Sequence, residues 1–67
     1  MQKKIYVAGM FDDDTAKKVD AAVRSVSGVT NVAANAAKAQ VLVDFNDGTS
    51  EESIDNAIKS AGVDVLN

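Results

Sequence analysis

The stretch Lys4-Ile5-Tyr6-Val7-Ala8-Gly9-Met10-Phe11-Asp12-Asp13-Asp14-Thr15 decides the fold. Lys4 to Ala8 alternate, with Ile5 and Val7 on one side, which is the pattern of a half-buried strand. Gly9 supplies a backbone free to turn. Three aspartates follow. Acids gather where a helix begins, because they accept from its unpaired N–H groups and face the positive end of its dipole. Beyond them Val19, Val23 and Val26 recur at i, i+4 and i+7, and Ala16 and Ala22 widen the stripe. Valine is a middling helix former, so this helix depends on packing. Ser27-Gly28 predicts its end.

Further along, Val29–Asn35 and Ala39–Phe45 read as two more strands joined by a hairpin turn over Asn35-Ala36-Ala37-Lys38. Val41, Val43 and Phe45 share one face of the second; Leu42 and Asp44 share the other. Asn46-Asp47-Gly48 is a turn. Thr49-Ser50-Glu51-Glu52 fits a capping box, with Thr49 as N-cap and Glu52 at N3. Ile54, Ala57, Ile58 and Ala61 give a second helical stripe, Gly62 its C-cap, and Val63–Leu66 a closing strand. The order βαββαβ with right-handed crossovers gives an α+β, ferredoxin-like sandwich. A four-stranded antiparallel sheet carries both helices on one face.

Composition narrows the function. The 67 residues are expected to form one domain, 1–67. There is no cysteine and no histidine, so thiolate and imidazole metal sites and the common nucleophile–base pairs are excluded. Ten acids against seven bases give a net charge of −3, opposite to the basic face of a nucleic-acid binder. Tyr6, Phe11 and Phe45 are the only aromatics, too few for an RNA-stacking sheet. No apolar run approaches the ~20 residues that span a bilayer, and Met1-Gln2-Lys3-Lys4 lacks the apolar core of a signal peptide. The expected setting is cytoplasmic, with no cofactor and no enzymatic activity.

From Lys3 to Val65 the chain resembles the heavy-metal-associated domain family, the small copper chaperones and the N-terminal domains of soft-metal transport ATPases. The resemblance rests on Val7-Ala8-Gly9-Met10, on Val19, Val23 and Val26, and on Gly28-Val29 with Val32. Val41 and Val43, Ala57-Ile58 and Ala61-Gly62 complete it. It implies a metal loop of the form Gly-Met-Thr-Cys-x-x-Cys. In that register Asp12 stands at the first ligand position and Thr15 at the second. The family holds Cu(I) or similar ions through two thiolates, since soft ions favour sulfur; a carboxylate and a hydroxyl are hard donors. Tight Cu(I) binding is therefore not expected. The resemblance also implies a Tyr or Lys near the metal after the second helix, where this chain has Val63, and an inward-packed Met10.

Two readings of the loop stay open. Asp12, Asp13, Asp14 and Thr15 could hold a hard cation through oxygen. Against this, consecutive residues do not converge on one ion, and a helix N-terminus repels cations. The favoured reading is capping by Asp13 or Asp14. The second acidic cluster, Asn46-Asp47 with Glu51-Glu52, belongs to the opposite end of the sheet and is also assigned to capping. Phe11 could anchor a protein partner or fold back on the core. Lys17 and Lys18, on the basic side of the first helix, could steer that partner. Asp20 is expected to pair with Lys17 or Arg24, and Asp55 with Lys59. Tyr6 and Leu42 form a small apolar patch on the open sheet face. The function expected is a degenerate heavy-metal-associated domain kept as a protein-interaction module, the alternative being an oxygen-ligand metal binder. A small-molecule sensor on the open face is a weaker third.

Overall fold

The structure, a computed structural model, describes residues 1–66. Six elements follow the expected order: β1 Gln2–Ala8, α1 Asp13–Arg24, β2 Val29–Asn35, β3 Gln40–Phe45, α2 Glu51–Ser60 and β4 Asp64–Val65. The strands form one antiparallel sheet in the order β2-β3-β1-β4, the ferredoxin-like arrangement. β1 and β3 are the central pair, with Ile5 opposite Val41 and Lys3 opposite Val43.

Alternation decides which sheet face is covered. Ile5, Val7, Val32, Val41, Val43 and Phe45 point to one side and are buried. Against them pack Ala16, Val19 and Val23 of α1 and Ile54 and Ile58 of α2, the two stripes legible in the sequence. Met10 and Val63 close the core at the end where β1 runs into α1. No helix is long and apolar enough to cross a membrane among the described residues.

Several boundaries differ from the sequence reading. β1 starts at Gln2 rather than Lys4, because Met1 and Gln2 continue the ladder: Phe45 N donates to Met1 O at 2.8 Å and Gln2 sits opposite Asp44. α1 stops at Arg24, with Ser25 as C-cap. Val26 falls in the turn after it and still packs on the core. β3 begins at Gln40 because Ala39 adopts φ 52°, which turns its carbonyl to accept from Val7 N at 2.9 Å. β4 is shorter than Val63–Leu66, covering two residues.

The cap of α2 also moves. Ser50, not Thr49, is the N-cap; its hydroxyl accepts from Ser53 N at 3.4 Å. Thr49 instead donates to Ser27 O at 3.2 Å, tying the start of α2 to the turn before β2. Gly28 makes this approach possible. It has φ +92°, and a Cβ there would lie 1.9 Å from the Thr49 hydroxyl.

Candidate functional site

The site grows from the end of β1. Gly9, at φ +96°, turns the chain with Val63 packed beside it. The next two side chains part company: Met10 drops into the core at 1% exposure, while Phe11 stands out at 89%. Phe11 thus does not fold back onto the core. Met10 takes the inward place expected of it.

Asp12 comes next, in extended conformation (φ −141°, ψ 169°), and is the N-cap of α1. Its Oδ1 accepts from Thr15 N at 2.8 Å, while its carbonyl accepts from Ala16 N at 3.1 Å. Asp12 therefore caps α1, one residue earlier than the expected caps, Asp13 or Asp14. The chain is still extended at Asp12, and only a side chain there can reach back to the N–H of Thr15. Asp13 and Asp14 lie in the first helical turn, where their charge faces the positive end of the dipole. The Thr15 N–H bond holds the Asp12 carboxyl below its ordinary range. The Thr15 side chain acts in the same direction, burial opposes them, and the charge of Lys18 adds a lesser downward pull.

The donor set can be tested against a soft metal ion. At the two ligand positions stand a carboxylate already engaged by backbone N–H and a half-buried threonine. Soft ions favour sulfur, and this pair presents two hard oxygens. The residues do not fit thiolate-type metal binding. Among the described residues no three His, Cys, Asp or Glu side chains are grouped to hold a metal ion. The second acidic cluster lies at the opposite end of the sheet, beside Met1 and the end of β3.

Of the docking candidates, Lys17 and Lys18 are both exposed on α1. Lys17 lines an open groove with Asp13, Asp20 and Ala34. Asp20 pairs with Arg24, as one of the two expected pairings requires. Arg24 reaches further, and its Nη2 donates to Val32 O at 2.9 Å. No periodicity in the sequence signals that contact. The Asp55–Lys59 pair does not form among the described residues; Asp55 Oδ1 is buried without a partner, and the remaining ion pair joins Lys3 to Glu51 at 3.7 Å. On the open face Tyr6 (45% exposed) sits opposite Gln40 and Leu42 opposite Lys4, so the two are diagonal neighbours.

An antiparallel βαββαβ sandwich with both helices on one face defines a ferredoxin-like domain, here with a Gly-Met turn feeding the first helix. The chain belongs to the heavy-metal-associated domain family, whose model matches residues 4–64. Among solved structures it is similar to the CopZ metallochaperone (28% identity, TM-score 0.94), covering 98% of this chain and 100% of that one. It is also similar to a copper binding domain from HMA7, a P-type ATPase (26% identity, TM-score 0.90, 98% and 93% covered). The CsoZ metallochaperone shares the fold at 24% identity (TM-score 0.89, 100% and 97% covered). No curated protein matches the chain by sequence. Family and fold are thus as the Gly9-Met10 register implied, in a chain with no cysteine.

Proposed function

We propose that this chain is a thiol-free heavy-metal-associated domain that works as a non-enzymatic protein-interaction module. The carrying observation is the divergence at the β1–α1 loop. Met10 and Gly9 keep the loop anchored, while Phe11 is held fully out and Asp12 and Thr15 stand where thiolates would be. An aromatic at an exposed tip is a suitable anchor for an apolar pocket on a partner. Lys17 and Lys18 supply positive charge on the neighbouring helix face, suited to an acidic rim around that pocket. The relatives include a metallochaperone and a domain of a P-type ATPase, so a partner of transport-ATPase type is a natural candidate. A single domain over residues 1–67 in the cytoplasm accords with this reading, as does an acidic net charge that disfavours nucleic acid.

Two measurements test it. In competition with a Cu(I) chelator the protein should take up no copper; stoichiometric retention at sub-nanomolar free Cu(I) would overturn the reading that the loop has lost its soft-metal function. Amide shift mapping with a partner should perturb Phe11, Lys17 and Lys18. Perturbations confined to Tyr6, Leu42 and Asp44 would move the docking surface to the open sheet face.

A further inference from the structure

β2 forms one edge of the sheet, and its sequence, Val29-Thr30-Asn31-Val32-Ala33-Ala34-Asn35, holds neither a charge nor a proline. Those are the usual devices that keep an edge from pairing. A register shift between Val29 and Asn31 disturbs only its first part, leaving Val32–Asn35 regular. The remaining obstruction is Arg24, whose guanidinium covers the Val32 carbonyl. That carbonyl therefore faces away from β3. By the alternation of an antiparallel ladder, the N–H and C=O groups of Val32 and Ala34 face outward together.

Beside this edge runs a stripe of α1 with its own pattern. Asp13, Lys17, Asp20 and Arg24 are spaced four, three and four residues apart, so they share one helix face. Three of them line the groove with Ala34, and the fourth touches Val32. Their signs run minus, plus, minus, plus. Reversed, the series becomes plus, minus, plus, minus, so the stripe is complementary to an antiparallel copy of itself. A two-fold interface demands that kind of self-complementarity.

We propose that two copies of this chain associate through β2, antiparallel about a two-fold axis at Ala33, to form one continuous eight-stranded sheet. Val32 of each copy exchanges backbone hydrogen bonds with Ala34 of the other. Both α1 helices then lie on the same side of the sheet, side by side and antiparallel. Lys17 faces Asp20 of the second copy, and Arg24 faces its Asp13. Arg24 leaves the Val32 carbonyl for that carboxylate, and the carbonyl accepts from the incoming Ala34 N–H. The parallel arrangement would set like charge against like. This surface shares Lys17 with the docking reading above but excludes Phe11, the anchor of that reading.

Sedimentation equilibrium over a concentration series, joined to amide hydrogen exchange, tests the proposal. The wild type should rise from the mass of one chain to twice that mass, with concentration-dependent protection at Val32 and Ala34. Lys17→Asp should abolish the dimer by setting acid against Asp20 of the second copy; the double swap K17D/D20K should restore it. Ala34→Pro removes an outward N–H at an edge position that tolerates proline, and should give a monomer with an unchanged far-ultraviolet spectrum. Phe11→Ala should dimerise like the wild type. A one-chain mass at every concentration would overturn the proposal, as would protection centred on Phe11 or Tyr6. A Lys17→Asp variant that dimerises normally would do the same. If Ala34→Pro fails to fold, the charge-swap pair still decides.

Discussion

Replacing Gly28 by alanine should be among the most damaging single-methyl changes in this protein. The position has φ +92°, a conformation that costs an L-residue about 1–2 kcal/mol. The new Cβ would also meet the Thr49 hydroxyl at 1.9 Å and its Cβ at 3.3 Å. Gly28 cannot swing clear, because its carbonyl accepts from Asn46 N at 2.9 Å. Thr49 must rotate instead and surrender its bond to Ser27 O, a loss of about 1 kcal/mol. The sum is about 2–3 kcal/mol, against a total stability of roughly 3–10 kcal/mol for a chain of this length. The melting point should fall by roughly 10–20 °C, readable by far-ultraviolet circular dichroism. A double-mutant cycle separates the two parts. With Thr49→Ala already present, Gly28→Ala should cost only the backbone share, leaving a coupling of about 1 kcal/mol. Additive costs within about 0.5 kcal/mol would show that Thr49 and Gly28 do not touch, and a neutral Gly28→Ala would refute the backbone argument as well.

Asp12 gives a pH prediction. Its carboxyl titrates below the ordinary 3.8, so its contribution is complete above that value and lost as pH falls through the lower folded-state pKa. The melting-point difference between wild type and Asp12→Asn should thus be constant above about pH 5 and shrink on acidification below 3.8; a difference that grows would reverse the sign of the linkage. Replacing Asp13 and Asp14 together by alanine should destabilise less than Asp12→Ala, and millimolar Ca²⁺ should not raise the wild-type melting point. A Ca²⁺ effect lost in the double variant would establish an oxygen-donor cation site instead. Phe11→Ala should change stability by less than about 0.5 kcal/mol in chemical denaturation, because the ring is exposed; a larger loss would mean that it packs on the core.

The fold was legible because the apolar periods are clean. Ile5 and Val7 alternate, Val19 and Val23 repeat at four, Ile54 and Ile58 do the same, and all six are buried. Caps were less legible because neighbouring residues compete. Three consecutive aspartates each have a side chain able to cap, and so do Thr49 and Ser50. Which one serves depends on where the backbone leaves the extended region, a matter of tertiary placement. The place of the candidate loop between β1 and α1, and the inward Met10, followed from the Gly9-Met10 register. The outward placement of Phe11 did not, since a single apolar residue beside a core can turn either way. The Arg24–Val32 contact was not readable at all. It joins a helix end to a strand edge across a turn, and no periodic signal couples the two.

Among the described residues, ten of the thirteen buried core side chains are valine or isoleucine. Each is branched at Cβ and stiff at χ1 even before folding. Ordering such a side chain sacrifices about 0.5–1 kcal/mol of rotamer entropy, against up to ~2 kcal/mol for a long unbranched one. A chain without disulfide or thiolate metal site therefore begins with less disorder to give up. The core that results has few alternative packings to explore. Exposed side chains such as Phe11, Lys17 and Lys18 are thus carried on a stiff base.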